Sequence, residues 1–131
     1  MSELKEIQRK IAKRLYELFV VNRNAMAVQL ADGNYATKYT KITENDVLCM
    51  LAEGKAIGSY QQLYKSPYLK WICFDFDCKN KEEPNIEKLY ISCTRPLNSF
   101  LDEQGIFYVN EFSGRRGIHT WILFNNYVKK E

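Results

Sequence analysis

Hydrophobic positions along this chain change period several times, and each change marks an element. Leu4, Ile7, Ile11, Leu15, Leu18 and Phe19 recur at helical spacing, while Lys5, Arg9, Lys13 and Glu17 fall elsewhere on the wheel. The spacing predicts an amphipathic helix of roughly 17 residues, docked by its apolar stripe. Ser2 is placed to cap it, with Glu3 and Glu6 in the first turn, where the helix dipole favours acids. After a break at 22–24, residues 25–30 and 35–39 read as two strands joined across Asp32-Gly33-Asn34, a hairpin signal. Thr43 and Asp46 resemble a capping box, although Asp is not the usual third residue. They open a short helix through Val47, Leu48, Met50 and Leu51 that Gly54 stops. Residues 57–60 read as another strand, and Ser66-Pro67 as a turn.

The second half begins with a nearly continuous apolar run, 69–76, broken by Lys70 and Asp75. Its β-branched and aromatic content predicts a buried strand that ends at Asp77. A polar loop, 78–83, precedes Pro84 and Asn85, which open a helix with Ile86, Leu89, Tyr90, Cys93, Leu97, Phe100 and Leu101 on its core face. Pro96 lies inside that pattern and should kink the helix or split it in two, and Gly105 closes it. Residues 106–109 and 118–124 are two further strands. The expected fold is α+β: a small N-terminal α/β module over 1–66, with a soft boundary at 64–67, then a β-α-β-β module over 67–131. That order matches an RRM-like (ferredoxin-like) unit, which would continue with a second helix and a fourth strand. Residues 125–131 are too few to supply both, so the module is expected to be truncated at its C-terminus. No internal repeat or low-complexity segment is evident.

Composition narrows the class. At 131 residues, 46% hydrophobic and 14% aromatic, the chain can bury a core and is not disordered as a whole. A net charge of +3 permits a polyanionic partner without requiring one. The basic residues of the first helix could touch a phosphate backbone, but a solvated face explains them as well. Cys49, Cys73, Cys78 and Cys93 form no CxxC pair, and one histidine cannot complete a Cys/His zinc pattern with them. With no secretory signal and no apolar run of about 20 residues, the expectation is a cytoplasmic (or nucleoid-associated) chain with free thiols and no membrane partner.

Two stretches carry candidate chemistry. Residues two apart share one face of a strand, so Asp75 and Asp77 project together, roughly 6–7 Å apart at the backbone. Two carboxylates on one face repel, and a divalent cation relieves that repulsion; hard oxygen ligands suit Mg2+ or Mn2+. The pair serves equally well as a loop opener and a solvated edge residue. Ser113-Gly114-Arg115-Arg116-Gly117 has the composition of an anion cradle, with glycines for a tight turn and a hydroxyl and two guanidinium groups as donors. In isolation it is also an ordinary hairpin turn, and His119 alone is more often structural than functional. Together they suggest more. If the first strand neighbours the returning hairpin, carboxylates for metal ions lie beside donors for a triphosphate, as phosphoryl or nucleotidyl transfer requires.

At this point the residues carry a resemblance. Phe74-Asp75-Phe76-Asp77 followed by Ser113 to Trp121 resembles the first two catalytic motifs of the archaeo-eukaryotic primase superfamily. That superfamily includes the small catalytic subunit of replicative DNA primase and many primase-polymerases. Ile57-Gly58-Ser59-Tyr60 is more reminiscent of its members in mobile elements and defence systems, CRISPR-associated ones included. The resemblance implies metal-dependent, template-directed nucleotidyl transfer, with Asp75 and Asp77 as Mg2+ or Mn2+ ligands and catalytic with His119. It also implies Ser113, Arg115, Arg116 and His119 as nucleotide-phosphate contacts, and nucleoside triphosphates and a nucleic-acid template and primer as partners. The family's third acidic residue lies on a later strand, and nothing after Phe124 matches it. Either another chain completes the site, or the alternative holds: a non-catalytic nucleotide- or nucleic-acid-binding module. A third class, glycosyltransferases or phosphohydrolases with an Asp-x-Asp pair, has no need of the Ser-Gly-Arg-Arg-Gly-x-His segment.

Overall fold

The computed structural model describes residues 2–63 and 65–131. The soft boundary expected at 64–67 begins on Tyr64, which lies outside the described residues. The fold is mixed α+β, with two antiparallel sheets of three strands each. The chain divides into two compact units, Met1–Lys70 with Asn126–Glu131, and Trp71–Asn125. None of the helices among the described residues is long and apolar enough to cross a membrane.

In the first unit, α1 (Glu3–Phe19) is followed by strands β1 (Met26–Gln29) and β2 (Tyr35–Lys38), helix α2 (Glu44–Glu53) and strand β3 (Ile57–Ser59). The sheet order is β2-β1-β3. The hairpin closes across Gly33, whose φ of +85° fits the turn. Gly58 lies opposite Ala27 in the β1–β3 pair, where a Cβ would come within 2.9 Å of the alanine methyl. Helix α2 starts as its composition predicts: the Asp46 carboxylate accepts from the Thr43 backbone N–H at 2.7 Å and from the Thr43 hydroxyl at 2.8 Å. Gly54, with φ of +67°, ends it.

Two expectations for α1 need correction. Ser2 occupies the N-cap, but its hydroxyl makes no capping bond; only its carbonyl accepts, from Lys5 and Glu6. The buried face is also rotated from the expected stripe. Ala12 is buried and Leu15 and Tyr16 pack on the core with Val20, Met26, Ile42 and Val47, whereas Leu4, Ile7 and Ile11 are exposed. Helix α2 packs against α1, and the small Ala12 side chain allows that close approach.

The second unit is built on β4 (Tyr68–Asp77), a long interrupted helix, β5 (Val109–Phe112) and β6 (Gly117–Lys129), with sheet order β4-β6-β5. The helix splits as Pro96 requires. It runs as α3 (Ile86–Leu89), passes through a π-helical turn (Tyr90–Thr94) and resumes as α4 (Arg95–Glu103). Pro96 lacks an N–H, and just before it the ladder resets, the Arg95 N–H reaching back five residues to the Tyr90 carbonyl. The extra residue in that turn rotates the second half. Thr94, Asn98 and Leu101 are buried, while Tyr90 and Phe100, expected in the core, are exposed.

The next strand begins later than its apolar run suggests. Gly105, at φ of +65°, ends α4 in a Schellman motif: its N–H bonds to the Asp102 carbonyl and the Ile106 N–H to the Leu101 carbonyl. Ile106 thus spends its donor on the helix end, and pairing starts at Val109 instead of residue 106. Strand β6 runs past the expected end at residue 124 to Lys129, exposed from Asn125 onward.

Candidate active site

Alternation along β4 and β6 sorts the side chains of the second unit. Phe76 and Ile118 pack with Leu89, Cys78, Ile86 and Cys93 on the helix side. Asp75, Asp77, Gly117 and His119 therefore take the opposite face. On that face Trp71 and Trp121 meet edge-on with ring centroids 5.1 Å apart, and Trp121 also meets the His119 ring edge-on at 6.1 Å.

The acidic strand and the basic turn are in contact. Arg116 Nη2 lies 2.8 Å from Asp77 Oδ2, and Arg116 Nη1 donates to the Cys78 carbonyl at 3.2 Å. His119 Nε2 lies 3.4 Å from Asp75 Oδ1. The turn between β5 and β6 is closed from within. Ser113 N–H donates to the Gly117 carbonyl and Gly117 N–H to Ser113 Oγ, both at 2.9 Å, with Gly114 at φ of +94° between them. Gly117 is required by space: a Cβ there would lie 2.5 Å from Asp77 Oδ1 and 2.9 Å from the Phe76 carbonyl. That close approach brings the turn against the Asp77 carboxylate.

Each expected site residue can now be placed. Asp75, Asp77, Arg116 and His119 form one cluster, and Ser113 sits at the base of the turn with its oxygen engaged by Gly117. Arg115 is exposed on the turn and, among the described residues, forms no ion pair. Side-chain exposures of 65% for Asp75 and 42% for Asp77 leave both carboxylates open to a ligand. The donor set is hard oxygen, one carboxylate held by a guanidinium and the other loosely by an imidazole, which fits Mg2+ or Mn2+. No three His, Cys, Asp or Glu side chains among the described residues are grouped to enclose a metal unaided. Waters and substrate phosphates would complete such a site, as magnesium ordinarily requires.

Glu111 joins the cluster without a signal in the sequence. It lies past the apolar run 106–109 in what reads as a loop, but the delayed start of β5 puts it in the ladder directly opposite His119. Its Oε1 is 2.7 Å from His119 Nδ1. The field on this face is negative: burial, with Asp75 and Glu111 alongside, pushes the Cys73 thiol up to about 11. Asp77 also borders a cavity of about 500 Å³ that carries Lys79, Lys88, Asn80 and Asn85, a second set of donors beside the carboxylates.

A family model for the archaeo-eukaryotic primase domain of TOTE conflict systems matches residues 9–131. The chain belongs to that family. The primase resemblance of the two motifs and its defence association are thereby established. TOTE primase domains fall in a primase-like nucleotidyltransferase family, and such domains generally use divalent metals and are expected to bind nucleotides and nucleic acid. No curated protein matches the chain.

Proposed function

We propose that this primase domain performs metal-dependent, template-directed nucleotidyl transfer, as a DNA primase or primase-polymerase does. The observation that carries the reading is the contact between the acidic strand and the basic turn, Arg116 on Asp77 at 2.8 Å and His119 beside Asp75 at 3.4 Å. Asp75 and Asp77 would hold Mg2+ or Mn2+, which when bound neutralises phosphate charge and activates a 3′-hydroxyl. The remaining work falls to the chain's own groups. The Ser113–Gly117 closure fixes the turn before a ligand arrives, so little ordering is needed on binding. Arg116 balances Asp77 and keeps further guanidinium donors for a phosphate oxygen; Arg115 adds a second cation from the exposed turn. His119 presents its Nε2 edge on the Asp75 side, where it would contact the triphosphate and stabilise charge on the leaving pyrophosphate. Ser113 offers a hydroxyl at the same turn.

Primer extension with labelled nucleotides on a templated duplex tests this. Extension that requires Mn2+ or Mg2+ and is lost in Asp75→Ala and Asp77→Ala is expected; extension unaffected by both substitutions would refute it.

One observation favours a second reading, a nucleotide- or nucleic-acid-binding module without turnover. Among the described residues the two aspartates have no third grouped ligand. Turnover would then call on a carboxylate from another chain, and intact triphosphate binding with no extension by the domain alone would support this version.

A further inference from the structure

We infer that Glu111 is a positioning residue for His119: it fixes which edge of the imidazole faces the ligand. The inference rests on the reading of His119 as a triphosphate contact. Glu111 and His119 are directly opposed across the β5–β6 ladder, the spacing at which cross-strand side chains meet. At 2.7 Å from a carboxylate oxygen, which is acceptor-only when ionised, Nδ1 must carry a proton. The 3.4 Å contact of Nε2 with Asp75 is looser by comparison. One edge of the ring is therefore fixed and the other is free to exchange its partner. Trp121, edge-on to the ring with an 89° interplanar angle, limits rotation from a third side.

The alternative role for Glu111, a third carboxylate on a cation shared with Asp75, conflicts with the same geometry. The imidazole stands between the two acids, contacting one through each nitrogen. Carboxylate–imidazole pairs of this kind orient a ring whose other nitrogen does the binding, and their loss commonly weakens binding about 10–100-fold.

The chain has a single histidine, so its ring signals are unambiguous by NMR. The free protein should show a hydrogen-bonded, slowly exchanging Nδ1 proton that disappears in Glu111→Ala and persists, shifted, in Glu111→Gln. By calorimetry with a nucleoside triphosphate and Mn2+, Glu111→Ala should bind about 10-fold more weakly, and Glu111→Gln within about 3-fold of the parent. The double variant Glu111→Ala/His119→Ala should be no weaker than His119→Ala alone, and affinity for Mn2+ without nucleotide should not change. Additive losses in the double variant, or a loss of nucleotide-free Mn2+ binding, would overturn the inference alone. A parent protein that binds no triphosphate would overturn the functional reading and this inference with it.

Discussion

Gly117 tests whether the turn and Asp77 are packed as closely as described. Its φ is not in the left-handed region, so any cost of Gly117→Ala comes from space. The added methyl would lie 2.5 Å from Asp77 Oδ1, 3.1 Å from Ser113 Oγ and 2.9 Å from the Phe76 carbonyl oxygen. The two side chains can rotate away; the carbonyl belongs to β4 and moves only if the strand does. Overpacking of this kind costs about 1–3 kcal/mol, while reduced freedom of the unfolded chain returns roughly 0.4–1 kcal/mol. A net loss of about 1–2 kcal/mol follows, and with a urea slope near 2 kcal/mol per M the midpoint should fall by roughly 0.5–1 M. Displacing Asp77 from Arg116 should also weaken Mn2+ binding in the same variant. A midpoint within about 0.2 M of the parent, with Mn2+ affinity unchanged, would refute the packing argument.

Arg116→Ala should act in opposite directions on two ligands. It removes the cation held 2.8 Å from Asp77, so nucleotide-free Mn2+ should bind tighter by a few-fold while a triphosphate binds about 10-fold more weakly. Parallel weakening of both, by calorimetry, would contradict this. Cys73, its thiol pushed up to about 11, should resist alkylation at pH 8 by roughly 200-fold relative to a thiol of ordinary pKa near 8.5. Its rate should then climb about tenfold per pH unit up to that value, and mass spectrometry against exposed Cys49 reads the ratio; equal rates would sink the claim. Asp46→Ala removes both reciprocal bonds to Thr43 and should cost about 1 kcal/mol in chemical denaturation, with no change in Mn2+ binding.

Local chemistry made much of the fold legible. Asp32-Gly33-Asn34 marked the first hairpin, Thr43 with Asp46 and Gly54 bracketed α2, and Pro96 located the helix break. What the chain hides depends on backbone bonds outside the regular pattern. The apolar period across 86–101 assumes an unbroken α-helix, but the π turn inserts a residue and turns Tyr90 and Phe100 outward. Likewise the Schellman motif takes the Ile106 N–H, so β5 starts at Val109 and its register follows from the tight Ser113–Gly117 closure. That shift is why Asp75, Asp77, Arg116 and His119 were readable from spacing and Glu111 was not. Two aspartates separated by one residue share a face in any strand, but the partner of His119 depends on a register that only the turn determines.

Isothermal titration of a nucleoside triphosphate, with and without Mn2+, tests most directly whether the acidic strand and the basic turn form one site. Binding should require the metal, and Asp75→Ala and His119→Ala should each weaken it at least about 10-fold while leaving the fold intact by circular dichroism. Triphosphate binding of equal strength without Mn2+, and unchanged in both variants, would contradict the account.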